Sequence, residues 1–306
     1  MLSDQLKSQI RAIHNRIKSS LPNYQARAGQ NQLVAEIAKI LAGTYHRHER
    51  IGLIEAGTGT GKSLAYMLAA IPYALSQKKK VVIATATVAL QEQLVNKDLP
   101  FFQQHSKLLF EFCLVKGRQR YACIERLRQQ QKHPELFAAV SDDVVDWQKL
   151  SDNWQQRFWL GDRDTLPAPL TDSMWQRIVA DPLHCHKHDK RHLHCPFHLA
   201  RAEIEHTDVL VVNHALLLAD LASGNSVLPS PDETLYIIDE AHHLPDIARD
   251  YFAAQAQLTH NSVWLEKAGK LVQQLIAVLP ATVMKELLRF DDSCNELNSL
   301  LKPIER

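Results

Sequence analysis

Leu6, Ile10, Ile13 and Ile17 recur at helical spacing, so residues 1–20 are predicted to form an amphipathic helix with one apolar stripe. "LPNYQ" breaks that pattern, and "QNQLVAEIAKILAG" predicts a second helix with Gly43 placed to stop it. "RIGLIEA" reads as a short strand running into a glycine-rich turn, and "KSLAYMLAAIPYALSQ" as the helix that follows. "KKVVIATAT" predicts a buried strand, "VALQEQLVNKDL" a helix and "FEFCLVKG" a further strand. Alternating strand and helix implies an α/β fold with a parallel sheet covered by helices. Residues 120–205 break the rhythm with Gln, Arg, Asp, His and Trp and no clear strand, as an insertion would. The sheet resumes at "TDVLVVNHALLLAD" and "ETLYIIDEAHHL". Beyond about residue 245 the pattern is helical, in "ARDYFAAQAQL", "SVWLEKAGKLVQQLIAVL" and "TVMKELLRF".

A length of 306 residues fits two domains, or one large domain with an insertion. Hydrophobic residues at 45% and charged residues at 23% are ordinary globular usage. A net charge of +1 excludes a strong overall field, so any nucleic-acid surface must be a local patch. The first helix lacks the apolar stretch of a signal peptide, and no run approaches a membrane span. A cytoplasmic protein without membrane partners is expected. Five cysteines there are expected to be buried, reactive or metal-bound rather than disulfide-paired.

"EAGTGTGKS", Glu55–Ser63, follows the predicted strand and opens a helix. Ala56, Gly57, Thr58, Gly59, Thr60, Gly61, Lys62 and Ser63 have the spacing of a phosphate-binding loop. Its glycines let backbone N–H groups converge on phosphate oxygens at a helix N-terminus. Lys62 is expected to reach the β- and γ-phosphates of ATP, and the Ser63 hydroxyl to coordinate Mg2+. "LYIIDEAHHL" supplies the second half: Asp239 to hold Mg2+, and Glu240 to polarise the attacking water.

With "AGTGTGKS" and "DEAH" the sequence resembles the superfamily 2 helicases of the DEAH-box class. More narrowly it resembles the DinG helicases, relatives of the XPD-type iron–sulfur helicases. "RAGQNQ" at 27–32 resembles the family's adenine-sensing motif and points to Arg27 and Gln30. "TATVALQEQL" at 85–94 resembles its first strand-contacting motif, and "KGRQRYAC" at 116–123 the segment with the first cluster cysteine. "CPFHLARAEI" and "VVNHALL" resemble the segments after the last one. The resemblance implies a RecA-like P-loop sheet with helices on both faces. It divides the chain into a first motor domain in 1–120 and 206–248, an inserted iron–sulfur-type domain in 121–205, and the start of a helical arch in 249–306. Single-stranded DNA contacts are implied at Thr85, Thr87, Gln91, Arg118 and Arg120, which would position the strand without reading its sequence. Tyr121 would stack on a base or lie in the core. His242, following the two carboxylates, would link the γ-phosphate state to the DNA-bound state. Asn213 and His214 also match family positions, as loop-orienting residues or as buried, hydrogen-bonded side chains.

"LHCHKHDKRHLHC", residues 183–195, packs five histidines and two cysteines into thirteen residues. The family holds a [4Fe–4S] cluster with four cysteines. Cys123, Cys185 and Cys195 match the first, second and last; near the third stands Lys190. Candidate substitutes are His186, His188, His192 and His194. Three outcomes stay open. An iron–sulfur cluster would be completed by histidine or an exogenous ligand. A zinc site would use Cys185, Cys195 and two histidines. With nothing bound, Lys187, Lys190 and Arg191 would face DNA phosphates from a solvated loop.

A superfamily 2 motor needs a second RecA-like domain with an arginine finger, and no motif of one follows "DEAHH". The expectation is therefore the N-terminal half of a monomeric, ATP-dependent 5′-to-3′ DNA helicase of repair and replication. Such a half binds nucleotide but does not unwind DNA alone. The alternatives are a non-catalytic nucleic-acid-binding or regulatory fragment, and an unrelated P-loop kinase or ATPase. A nuclease role would need an acidic domain that the sequence does not contain.

Overall fold

The computed structural model describes residues 3–21, 27–132, 146–253, 258–276 and 280–301. They fall into two units, Met1–Tyr251 and Phe252–Arg306. The break predicted at "LPNYQ" lies mostly outside the described residues.

Helix α1 (Asp4–Ser20) begins where the Ser3 hydroxyl accepts the Leu6 amide, capping an otherwise unpaired donor. Its stripe of Leu6, Ile10, Ile13 and Ile17 is buried as the spacing predicts. Full burial of Ile13 or Ile17 contributes roughly 1.5–3 kcal/mol each. Helix α2 (Ala28–Leu41) stops before Gly43, which takes φ +68°. Helix α3 (Lys62–Ser76) is apolar all round and buried from Ala65 to Ala74, as an internal helix must be.

Four parallel strands form the sheet: β1 (Lys80–Thr85), β2 (Phe112–Leu114), β3 (Val209–Asn213) and β4 (Thr234–Ile238), in the order β2-β3-β1-β4. Side chains alternate between its faces. Val81, Ile83, Val209 and Val211 pack with α1, α2 and α3. Val82, Ala84, Leu210 and Val212 pack on the other face with Ile204 and Leu217, from helices α9 (Pro196–His206) and α10 (His214–Ala222). The fold is thus α/β, with helices on both faces of a parallel sheet. Register pairs Thr85 with Asn213 and Ala84 with Ile238. Thr85, Asn213 and Asp239 therefore share the carboxyl edge, where ligands bind in open parallel sheets.

Two local expectations are corrected. "RIGLIEA" is not a strand: residues 49–57 carry no strand pairing, with Ile51 89% and Leu53 94% exposed. A strand needs a neighbouring strand for its backbone groups, and no described strand pairs with this segment, where Gly52 instead lies against Ile40 of α2. The helix predicted over "VALQEQLVNKDL" runs further, as α4 (Val88–Gln93), a wider-wound turn (Leu94–Asp98) and α5 (Leu99–Ser106). Pro100 lacks an N–H and crowds the preceding turn, and the Leu99 amide bonds back to the Leu94 carbonyl across that wider turn.

Residues 121–205 have a core of their own. Helices α6 (Ile124–Lys132), α7 (Trp147–Gln155) and α8 (Asp172–Ile178) contribute Leu127, Leu150 and Ile178. Trp159 and Trp175 fill its centre, their indole N–H groups donating to the Asp162 and Gln119 carbonyls at 2.7 and 2.9 Å. Single bridges at Tyr121–Asp162 and Ala122–Val179 close it. Helix α11 (Leu244–Phe252) follows the sheet. In the second unit α12 (Leu258–Ile276) and α13 (Ala281–Leu301) pack side by side, burying Leu265, Val272 and Cys294. Parts of the helices predicted in this region, 254–257 and 277–279, lie outside the described residues.

Candidate nucleotide site and cysteine cluster

The loop from Ala56 to Ser63 turns on Gly59 at φ +76° and Gly61 at φ +82°, a region that glycine enters without steric cost. The Thr60 hydroxyl donates to the Gly57 carbonyl at 2.7 Å and tightens the turn. Gly61 is the N-cap of α3, so Lys62 and Ser63 stand in its first turn, where unpaired amides and the helix dipole favour an anion. Arg27 donates to the Gly59 carbonyl, and Gln30 Nε2 to the Gly61 carbonyl at 3.1 Å. Both side chains thus hold the loop's backbone directly. Thr58 completes the loop between Gly57 and Gly59.

The carboxylates approach from β4. The Asp239 amide donates to the Ala84 carbonyl at 2.8 Å, extending the sheet by one residue. Glu240 takes φ +53°, a strained setting for a residue with a Cβ, which turns its carboxylate toward the loop. Lys62 Nζ lies 2.7 Å from Glu240 Oε1. That bond raises the lysine pKa and lowers that of Glu240. Burial, then the Glu240 charge, raises the pKa of Asp239. Tyr66 Oη donates to Asp239 Oδ2 at 3.3 Å and also interacts with Ser63. His214 Nε2, buried, donates to the Asp239 carbonyl at 3.0 Å. His242 Nδ1 lies 3.5 Å from Glu240 Oε2. Lys62, Ser63, Asp239, Glu240 and His242 therefore converge, while Tyr66 was not singled out in the sequence. Its signal there was position: Tyr66 is four residues after Lys62, on the same helix face.

The residues expected to contact DNA are placed differently from one another. Thr85 is fully buried, its hydroxyl donating to the Thr87 carbonyl at 3.3 Å, and Gln91 is 5% exposed. The Thr87 hydroxyl caps α4 through the Leu90 amide. Arg120 pairs with Asp164. Arg118 lies over the Phe197 ring at 4.1 Å and donates to the Cys185 carbonyl at 3.3 Å. Tyr121 is core, packed on Phe197, with burial pushing its pKa up to about 12. Asn213 caps α10 by accepting the Leu216 amide at 2.7 Å.

Cys123, Cys185 and Cys195 come together, buried beside Tyr121 and Phe197. Cys185 Sγ lies 3.2 Å from Cys195 Sγ. His192 Nδ1 is 3.5 Å from Cys123 Sγ, and His198 Nε2 is 3.5 Å from Cys185 Sγ. Of the four histidines proposed from sequence, His192 joins the thiols, while His186, His188 and His194 are exposed. Among the basic residues of the loop, Arg191 pairs with Asp189 at 2.6 Å. Lys187 is exposed and Lys190 lies at the start of the turn that carries His192. His198 falls outside the 183–195 stretch, yet it follows Cys195 by three residues on α9, which puts both on one face.

Residues 23–160 match the DEAD/DEAH box helicase family. The chain is 44% identical over 311 residues to the ATP-dependent DNA helicase DinG of Photobacterium profundum, covering 97% of this chain and 44% of that protein. The similarity to a DinG helicase thus runs along nearly the whole chain, with the DEAD/DEAH box match largely in its first half. To the DinG of Escherichia coli (strain K12) it is 34% identical over 322 residues, 98% of this chain and 44% of that one. To the DinG of Salmonella typhimurium it is 35% identical over 289 residues, 90% of this chain and 40% of that one. The chain thus spans less than half the length of these relatives. A solved XPD helicase structure aligns with TM-score 0.43 and 15% identity, over 86% of this chain and 40% of that chain. No described helix is long and apolar enough to cross a membrane.

Proposed function

We propose that residues 1–306 provide the ATP-binding motor domain of a DNA helicase that translocates 5′ to 3′ on single-stranded DNA in repair and replication. The observation that carries this is the meeting of Lys62, Glu240 and Asp239 at the carboxyl edge of the sheet, beside the loop of Gly59 and Gly61. Lys62 takes the β- and γ-phosphates. Ser63 and Asp239 hold Mg2+, which neutralises charge developing on the phosphates. Glu240 orients the attacking water, and His242 relays the state of the γ-phosphate to the DNA. Arg27 and Gln30 act on adenine through the loop they grip.

In the Lys62–Glu240 pair, nucleotide phosphates compete with Glu240 for Lys62. Both side chains are more than a quarter exposed, so the pair contributes only ~0–1 kcal/mol. Phosphates, with more charge and several backbone donors behind them, displace Glu240 from Lys62 and free it for water. Thr87 and Arg120 contact the strand, with DNA phosphate competing against Asp164 for Arg120. Thr85 fixes the start of α4 through the Thr87 carbonyl, Gln91 anchors α4 by its buried side chain, and Arg118 supports the cysteine loop.

In this reading 1–120 and 206–248 form the motor domain, 121–205 the inserted module, and 249–306 the start of a helical arch. The protein is a cytoplasmic monomer. The arginine finger comes from a second domain, so residues 1–306 bind nucleotide without unwinding DNA. The test is a strand-displacement assay with purified 1–306, run beside ATP hydrolysis with and without single-stranded DNA. Nucleotide binding without strand separation is expected. ATP-dependent unwinding by 1–306 refutes the two-domain requirement, and absence of any single-stranded DNA binding favours an unrelated P-loop ATPase.

A further inference from the structure

The cysteine cluster does not fit the group that the family implies. A [4Fe–4S] cluster is held by four thiolates, each on a different iron, so its donors stand apart around a body of eight atoms. Here three thiols are present, and they are drawn close. Cys123, Cys185 and His192 offer donor atoms that all lie within 4.8 Å of one another, and so do Cys185, Cys195 and His198. Around one tetrahedral ion with metal–sulfur bonds of about 2.3 Å and metal–nitrogen bonds of about 2.0 Å, donors stand roughly 3.4–3.8 Å apart. The contacts of 3.5 Å between Cys123 and His192 and between Cys185 and His198 match that edge, and the 3.2 Å between Cys185 and Cys195 is slightly shorter than it.

We infer that Cys123, Cys185, Cys195 and His192 form a mononuclear, tetrahedral site for one divalent ion of the zinc class. His192 takes the place of the absent fourth cysteine. It is 3% exposed, and its Nδ1 faces the Cys123 thiol. His198 also lies within reach, grouped with Cys185 and Cys195, but it is only partly buried, and burial decides for His192.

The backbone around each donor is fixed in the way a closed structural site requires. Cys123 N–H donates to the Ile178 carbonyl at 2.6 Å, Cys185 N–H to Asp181 at 3.0 Å, and Cys195 N–H to His192 at 2.9 Å. The turn bearing His192 is capped by Asp189, which accepts the Arg191 amide at 2.9 Å. Asp181 accepts the Leu183 and His184 amides at 2.8 and 3.0 Å and shapes the approach to Cys185. Three thiolates and a neutral imidazole leave a divalent site with one net negative charge. The Arg118 guanidinium, held at the Cys185 carbonyl, lies where it offsets that charge. With His192 joining the three thiolates every vertex would be filled by protein, and the role of such a site would be to hold the 121–205 module together rather than to catalyse.

The test is metal and acid-labile sulfide analysis of the full chain, purified without air and without added metal, followed by affinity measured against a chromophoric zinc chelator. About one zinc per chain with no sulfide is expected. Iron and sulfide in equal amounts, four of each per chain, overturns the inference, as does a chain with no measurable zinc affinity. His192→Ala is expected to weaken zinc binding by at least about a hundredfold, and His198→Ala by no more than about tenfold. The reverse ranking overturns the choice of His192. Should His192→Ala fail to fold, His192→Cys keeps the vertex filled and retains zinc. The cobalt-substituted wild-type chain shows the intense visible absorption of a tetrahedral site; the weak absorption of octahedral cobalt contradicts the proposal.

Discussion

At Gly61 two independent constraints exclude a side chain. Its φ of +82° costs an L-residue roughly 1–2 kcal/mol, and an added Cβ would stand 2.2 Å from Gln30 Nε2. Gly61→Ala is therefore expected to lose nucleotide binding, and adding Gln30→Ala recovers only part of it, because the steric clash is removed while the backbone strain stays. Equal binding by Gly61→Ala and wild type, in a fluorescent-nucleotide titration, contradicts this. Asp239 carries the opposite trade. Burial raises its pKa, so the ionised carboxylate costs stability. Asp239→Asn is expected to melt higher than wild type at neutral pH while binding Mg2+–ATP more weakly. The sign follows from linkage. The penalty is full above the raised folded pKa and fades as the pH falls through it toward the ordinary carboxylate value. The difference in melting temperature between Asp239→Asn and wild type should shrink over that window. A constant difference places its cause elsewhere.

At the scale of elements, burial sorts what substitution does. Trp175 is fully buried with its indole N–H on the Gln119 carbonyl, so Trp175→Ala is expected to cost roughly 3–5 kcal/mol, read from denaturant unfolding. Leu53 is the converse: at 94% exposure, Leu53→Lys should change stability by less than about 0.5 kcal/mol while raising solubility. A cost above that shows Leu53 to be packed. The same two places show what a sequence reveals. The stripe of Leu6, Ile10, Ile13 and Ile17 is a local property of one helix and was legible. So was the glycine and lysine pattern of the loop, because its conformation is set by its own residues. The segment around Leu53 has strand-like composition, but strand pairing is decided by a neighbour the sequence cannot display locally. The wider turn at 94–98 was missed because Pro100 acts on the turn before it. His198 was not legible because it lies outside the histidine-rich 183–195 stretch, and only the helical return of α9 places its ring at Cys185.

For the whole molecule, the proposed nucleotide site lies at the sheet's carboxyl edge, where Lys62 pairs with Glu240. Competition between Glu240 and phosphate for Lys62 makes the two residues behave oppositely on substitution. Titration of Mg2+–ATP into the purified chain and its Lys62→Ala and Glu240→Gln variants tests this most directly. Wild type binds, and Lys62→Ala loses at least about tenfold in affinity with its phosphate contact. Glu240→Gln binds as tightly as wild type or up to about fivefold tighter, because a competing partner worth ~1 kcal/mol or less is gone. Lys62→Ala binding as well as wild type, or Glu240→Gln failing to bind while folded, contradicts the assignment of this edge as the nucleotide site.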